Sequence, residues 1–161
     1  MRFFVFLFTC GLAFMANPAL AQSDEPEMTV EVLGVYFTPV ANAAVPIVKA
    51  IDASEREVLV QAYGFTHNGI AQALVRAHER GVKVRVLLDQ KSQSTNRYVM
   101  GLLTDARIEL RQDGKHAIAH NKVVVIDQVI VITGSFNFTV EAADARAAAA
   151  EAVAKRSFLP S

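Results

Sequence analysis

The sequence predicts an α/β fold in which a mixed β-sheet is flanked by helices. Two observations lead to this prediction. Short apolar, β-branched segments alternate with segments whose apolar residues recur at helical spacing, which is typical of a sheet covered by helices. Later in the chain two apolar strands follow one another across the tight turn Asp127-Gln128, and this hairpin makes the sheet mixed.

The individual elements follow from apolar runs bounded by Gly, Pro, Asn or Asp. We predict strands at residues 29–37, 57–65, 82–88, 107–110, 120–126 and 129–133. We predict helices at residues 43–54 and 98–103, and between them a helix that Asn68 caps and Gly81 ends. The polar stretch 91–97 is predicted to be a loop.

The N-terminus has the pattern of an export signal. Arg2 precedes an apolar run from Phe3 to Met15, and Pro18 precedes the small-residue triplet Ala19-Leu20-Ala21. An uncleaved membrane anchor is the alternative, but the run is short of the roughly 20 apolar residues that a span needs. We therefore expect a signal peptide at 1–21, a flexible leader at 22–28, a periplasmic or secreted protein, and no stable membrane insertion after cleavage.

Cysteine content and charge exclude some functions and leave others open. Cys10 is the only cysteine and lies in the signal segment, so the mature chain is expected to use neither cysteine catalysis nor cysteine-ligated zinc. Overall, 16 basic residues balance 16 acidic ones. Between Arg76 and Lys122, however, ten Lys or Arg face five Asp or Glu, which fits either a phosphate-binding face or an ordinary mixed surface.

The most informative segment runs from His120 to Asn137. Strand periodicity places His120 and Lys122 on the same side of one strand and Asp127 on the opposite side, where we expect it to hold the hairpin turn or a neighbouring segment. The hairpin then carries Ser135 and Asn137 back toward His120. An ammonium, a hydroxyl and an amide suit a phosphate whose charge rises in the transition state, and a histidine can attack phosphorus.

These residues carry a family resemblance. The pattern His-x-Lys, four residues, Asp, six residues, Gly-Ser-x-Asn begins at His120 and resembles the motif of the phospholipase D superfamily at every position. The chain looks most similar to the small single-motif members, which include periplasmic endonucleases that work without metal. The resemblance extends loosely from Val35 to Thr139 and includes Tyr63-Gly64-Phe65-Thr66 and the strand that ends at Leu88-Asp89.

The resemblance implies a role for each motif residue. His120 is expected to be the nucleophile that forms a phosphohistidine, and Lys122, Ser135 and Asn137 are expected to bind the phosphate. Asp127 completes the motif, so we include it with His120 and Lys122 among the catalytic residues. Members with two motifs use one histidine as nucleophile and the other as general acid. A single-motif chain is therefore expected to form a homodimer with a shared active site, without metal or cofactor.

The C-terminal end departs from the family pattern. The family continues into a segment whose Glu holds the catalytic histidine, then a strand and a closing helix. Here residues 141–161 form an alanine-rich tail, and none of Glu141, Asp144 and Glu151 fits that Glu. Residues 153–159 do not resemble a buried strand. We expect a catalytic domain at 29–140 and an atypical tail at 141–161, with the last strand and helix altered or truncated.

Some side chains near the motif have more than one interpretation. His116 is expected on a loop or rim rather than in a zinc site with His120. Phe136 and Phe138 either stack on a base or lipid or pack in the core, and the core is favoured.

Three functions are consistent with these observations. The first is a metal-independent endonuclease on DNA or RNA. The second is the same chemistry on phospholipid head groups, because the motif recognises the phosphodiester and not what is attached to it. The third is a catalytically impaired module that binds phosphate or nucleic acid.

Overall fold

The computed structural model describes residues 29–38, 42–140 and 149–157, so the predicted signal peptide and leader lie outside the described residues. The strands are β1 (Thr29–Thr38), β2 (Glu57–Ala62), β3 (Lys83–Asp89), β4 (Glu109–Asp113), β5 (Lys122–Ile126), β6 (Ile130–Gly134) and β7 (Ala149–Ser157). The helices are α1 (Ala44–Asp52), α2 (Asn68–Glu79) and α3 (Arg97–Asp105), and a 3₁₀ turn covers Gln90–Ser92. Within these ranges, no helix has the length and apolar character needed to cross a bilayer.

The strands form one mixed sheet in the order β1-β7-β6-β5-β2-β3-β4, which confirms the predicted fold class. β2, β3 and β4 are parallel, whereas β5 is antiparallel to both β2 and β6. We predicted no strand at Ala149–Ser157, but this segment pairs with β1 on one side and β6 on the other. Backbone pairing needs no large side chains, which is why an alanine-rich segment can occupy this place. The division of the chain at residue 140 stays a prediction.

One face of the sheet packs against the helices and holds the core. In β2 and β5, alternate residues are buried, and in β5 the buried set is Lys122, Val124 and Ile126. The helices supply large buried side chains that cover this face: Ile47, Ile51, Ile70, Leu74 and Leu103. The position of Lys122 in this row makes it the charged end of an otherwise apolar stripe.

The ends of α2 differ in part from the prediction. Its N-cap is His67, which has extended backbone angles and a ring Nδ1 that accepts a hydrogen bond from the Ile70 N–H at 3.3 Å. The prediction of Asn68 as cap was therefore wrong, because the imidazole nitrogen one residue earlier takes the acceptor role. The predicted stop at Gly81 is confirmed, since this residue has φ +90°, a conformation that glycine adopts without steric cost.

The β5–β6 hairpin is fastened to the start of β2. Asp127 and Gln128 have φ values of 52° and 65°, which suit the tight turn that matches strand twist. The Asp127 carboxylate accepts backbone N–H bonds from Glu55, Arg56 and Glu57 at 3.0, 2.7 and 2.9 Å, which confirms that it holds the turn. Burial acts to raise the pKa of Asp127, but these hydrogen bonds outweigh it and the pKa lies below its usual value.

Asp127→Asn is expected to destabilise the fold by about 1–3 kcal/mol at pH 7, because the three N–H groups lose their charged acceptor. A lowered folded-state pKa means that this stabilisation is present above about pH 4, the unfolded value, and is lost as the pH falls through the folded value. Urea unfolding from pH 7 down to about pH 2.5 should therefore show the wild-type advantage shrinking. Asp105→Asn, at the exposed end of α3, is the matched control. A wild-type advantage that is independent of pH would contradict this account.

Candidate active site

Four strand ends meet at one end of the sheet. The carboxyl ends of β2 and β6 flank the beginning of β5, since Lys122 pairs with Ala62 and Val123 pairs with Thr133. The end of β3 lies beside that of β2, where Leu88 pairs with Ala62 through the parallel ladder. Side chains after the carboxyl ends of parallel strands commonly form binding sites in α/β proteins.

The structure brings His120 and Lys122 together, although in a different way from the predicted strand. β5 begins at Lys122, so His120 precedes the strand and is exposed. Lys122 is only 5 % exposed, and its Nζ donates a hydrogen bond to the His120 carbonyl oxygen at 3.3 Å. The pair therefore combines an exposed histidine with a buried ammonium that is hydrogen-bonded to the histidine's main chain.

The Tyr63 ring is close to both groups. Its ring meets the His120 ring edge-on, with 4.7 Å between centroids, and the Lys122 Nζ lies 5.9 Å from its centroid. Burial lowers the pKa of Lys122 because its ammonium loses hydration. An anion bound at this point would supply the missing countercharge.

The loop after β6 carries the other predicted phosphate ligands to the same end. Ser135 is exposed, and Asn137 is half-buried with an Oδ1 that has no hydrogen-bond partner. Gly64 permits the close packing of this loop, because a Cβ there would lie 3.1 Å from Thr139 Cγ2 and 3.9 Å from Asn137 Cβ. Because Oδ1 is an acceptor, any contact of Asn137 with a phosphate would come from its Nδ2 donor.

Two phenylalanines anchor that loop. Phe136 and Phe138 are completely buried, as the core interpretation predicted, and Phe138 meets Phe65 in an edge-on contact with centroids 6.0 Å apart. The Phe138 carbonyl oxygen accepts backbone bonds from both Thr66 and His67 at 2.9 Å. The loop that holds Ser135 and Asn137 is therefore fixed to the segment after β2.

Sequence reasoning missed two buried polar residues that shape this end of the sheet. Asn96 is fully buried, donates from Nδ2 to the Tyr63 carbonyl oxygen at 2.9 Å and accepts the Phe65 N–H at 2.7 Å. Asp89 is 1 % exposed and binds backbone N–H groups through both carboxylate oxygens. The position of Asp89 at the end of an apolar strand was a sequence signal that it could be buried. Asn96 lies in a uniformly polar stretch, which gave no such signal.

Other predicted residues lie away from this centre. Asp127 sits at the opposite end of β5, five residues or about 16 Å from Lys122, so the structure does not bring it to His120. His116 is on an exposed loop, as expected, with Nδ1 2.6 Å from Asp113 Oδ2. In residues 29–38, 42–140 and 149–157, no three His, Cys, Asp or Glu side chains are grouped so as to hold a metal ion.

The register of β7 adds one acidic residue near the site. Glu151 pairs with Gly134, the residue before Ser135, so its backbone lies beside the start of the loop after β6. Glu141 and Asp144 lie outside the described residues.

Comparisons with known proteins agree with this geometry. Residues 47–155 match the family described as "Cardiolipin synthase, PLD-like domain". The chain is 43% identical over 128 residues to phospholipase D of Rickettsia prowazekii, covering 80% of the chain and 62% of that protein. It is 33% identical over 89 residues to mitochondrial cardiolipin hydrolase of Xenopus tropicalis, covering 55% of the chain and 42% of that protein.

A solved structure is similar over most of the chain. Nuc from Salmonella typhimurium, described as a phospholipase D family member, superposes with a TM-score of 0.72 at 34% identity, covering 80% of this chain and 84% of that one. NucT from Helicobacter pylori, at 22% identity and a TM-score of 0.68, covers 79% of this chain and 86% of that one and shares the fold. The chain spans 59% to 64% of the length of the Rickettsia relatives that it matches.

Proposed function

Because this chain belongs to the phospholipase D superfamily, we propose that it hydrolyses phosphodiester bonds through a phosphohistidine formed on His120. The observation that carries the proposal is the exposed His120, whose carbonyl oxygen accepts a hydrogen bond from the buried Lys122 ammonium and whose ring packs on Tyr63. Histidine is a nucleophile for phosphorus, and the adjacent cation stabilises the charge that develops on the phosphoryl oxygens.

The reaction proceeds in two displacements. In the first, a ring nitrogen of His120 bonds to phosphorus while the bond from phosphorus to the leaving oxygen breaks, and that oxygen takes a proton from a general acid. In the second, water attacks the phosphohistidine, its proton passes to the same group acting as base, and the phosphorus–nitrogen bond breaks. His120 is regenerated, and no oxidant or further reactant is consumed.

Lys122, Ser135 and Asn137 would bind the phosphate oxygens. Lys122 supplies the charge, and burial lowers its pKa, an effect that the negative charge of a bound phosphate would oppose. Ser135 and Asn137 supply a neutral donor each from the loop after β6. We assign Asp127 a structural part in this scheme, since its carboxylate is occupied by backbone N–H groups at the far end of β5.

The general acid is proposed to come from a second copy of the chain. The acid must face the leaving oxygen, on the side of phosphorus opposite the attacking His120, and each chain carries a single motif histidine. A symmetric dimer with the site on its axis would place the partner's His120 opposite the leaving oxygen. Each histidine would then serve as nucleophile or acid depending on the substrate's direction.

Nucleic acid is the substrate proposed first. Exposed Lys91, Arg97 and Lys115 lie on segments at the site end of the sheet. Two carboxylates, Asp89 and Asp113, lie at the same level and offset part of the charge of these three cations. These exposed cations would attract the phosphate backbone of a nucleic acid whatever its base sequence.

A phospholipid head group is the second candidate. The Rickettsia and Xenopus relatives are named phospholipase D and cardiolipin hydrolase. In this chain Ile118, two residues before His120, is 58 % exposed and offers an apolar contact at the mouth of the site. We also propose export to the periplasm or outside the cell, on the signal pattern at residues 1–21.

Plasmid DNA should be cleaved by the mature protein in excess EDTA, and His120→Ala should lower the rate by about a thousandfold or more, because the nucleophile is lost. His116→Ala, an imidazole on the exposed loop, is the matched control and should keep the wild-type rate within about twofold, as surface changes usually do. Anionic phospholipid vesicles assayed in parallel identify the second substrate class. Cleavage of neither substrate by folded wild-type protein would instead support an impaired binding module.

Mixed dimers test the shared site. When wild-type and His120→Ala chains are unfolded together in equal amounts and refolded, about one quarter of the DNA-cleaving activity should remain, because only wild-type pairs hold both histidines. The same mixture made with His116→Ala chains should keep full activity. Activity that follows the wild-type fraction linearly, or that belongs to a monomer in analytical ultracentrifugation, would rule out the shared site.

A further inference from the structure

We propose that Asp89 is a positioning residue for His120, fixing the main chain directly before the nucleophile. This inference rests on the proposed role of His120. Asp89 ends β3, is 1 % exposed and does not touch the imidazole, so any effect on the reaction passes through the backbone. The observation that carries the inference is a contact between residues thirty positions apart in the chain.

Each carboxylate oxygen of Asp89 has a separate partner. Oδ1 accepts the Lys91 N–H at 2.7 Å, which caps the 3₁₀ turn after β3, and Oδ2 accepts the Ala119 N–H at 2.6 Å. Capping the turn needs only one oxygen, and serine or asparagine at this position would provide it. The second oxygen accepts the N–H of Ala119, the residue before His120. This second hydrogen bond is what a carboxylate adds over serine or asparagine.

His120 needs such support because it lies outside the β5 ladder. On its other side, the Asn121 carbonyl oxygen accepts the Tyr63 N–H at 3.0 Å, and the Tyr63 carbonyl is in turn held by Asn96. The nucleophile is therefore exposed, but both of its neighbours are anchored to buried polar groups. A shift of about 1 Å in a reacting group is enough to slow an enzyme a hundredfold.

Asp113 provides a matched comparison within the same layer. It is the register partner of Asp89 on the neighbouring strand β4, and its carboxylate also accepts backbone N–H bonds, from Lys115 and His116 at 2.9 and 3.3 Å. Both aspartates therefore hold the segment between β4 and β5. Only Asp89 holds it next to His120.

The test compares Asp89→Asn with Asp113→Asn, using bis(p-nitrophenyl) phosphate. Its nitrophenolate leaves without a proton, so the burst of nitrophenolate released in a single turnover, with protein in excess over substrate, reports attack by His120 alone. For Asp89→Asn we expect a burst about tenfold to a hundredfold slower, with KM and inhibition by inorganic phosphate within about twofold of wild type. Asp113→Asn should change neither. In parallel, amide hydrogen exchange at Ala119 should become at least about tenfold faster in Asp89→Asn alone.

The outcomes separate the two claims. A folded wild-type protein that releases no nitrophenolate overturns the proposed function, and the positioning role with it. A wild-type burst that Asp89→Asn leaves unchanged overturns the positioning role alone. The positioning role is also overturned if Asp89→Asn and Asp113→Asn slow the burst equally. It is likewise overturned if Asp89→Asn loses inhibition by phosphate together with the burst rate, since both results indicate a general structural role. Should Asp89→Asn fail to fold, Asp89→Ser keeps the cap on Lys91 but is too short to reach Ala119 as well, and the same expectations apply.

Discussion

The antiparallel register between β2 and β5 is the constraint on which the rest of the site depends. It places Lys122 opposite Ala62 at one end, and the Asp127 carboxylate fastens the other end to the start of β2. Because side chains alternate along a strand, a slip of one residue would turn Lys122 out of the buried row and a valine into its place. The charge at the site is therefore set by backbone pairing rather than by a local ion pair.

Backbone anchoring also explains how the remaining groups reach one point. The segment after β2 is held by the Asn96 amide, and the loop after β6 is held by the Phe138 carbonyl and two buried aromatic rings. His120 and Ser135 can then remain exposed while the main chain around them stays fixed. The buried polar residues that hold these segments become ordered when the chain folds. The conformational entropy lost in ordering them is therefore not lost again when substrate binds.

Much of this was predictable from the sequence, and the failures have physical causes. Periodicity correctly placed Lys122, Val124 and Ile126 on one buried side, and parity correctly sent Asp127 to the turn. Periodicity could not show that the ladder stops before His120, since that depends on where Tyr63 and Asn121 pair. β7 was missed because alanine gives no strand signal, and Asn96 because a buried amide and an exposed one have the same sequence appearance.

The central claim is that His120 forms a covalent bond to phosphorus, and trapping that bond tests it most directly. Wild-type protein would be mixed with bis(p-nitrophenyl) phosphate, quenched in alkali during turnover, digested and examined by mass spectrometry. The account predicts a nitrophenyl phosphoryl group on the peptide that contains His120, and its absence from His120→Ala protein. Phosphoryl transfer to a different residue, or sustained turnover by His120→Ala protein, would contradict it.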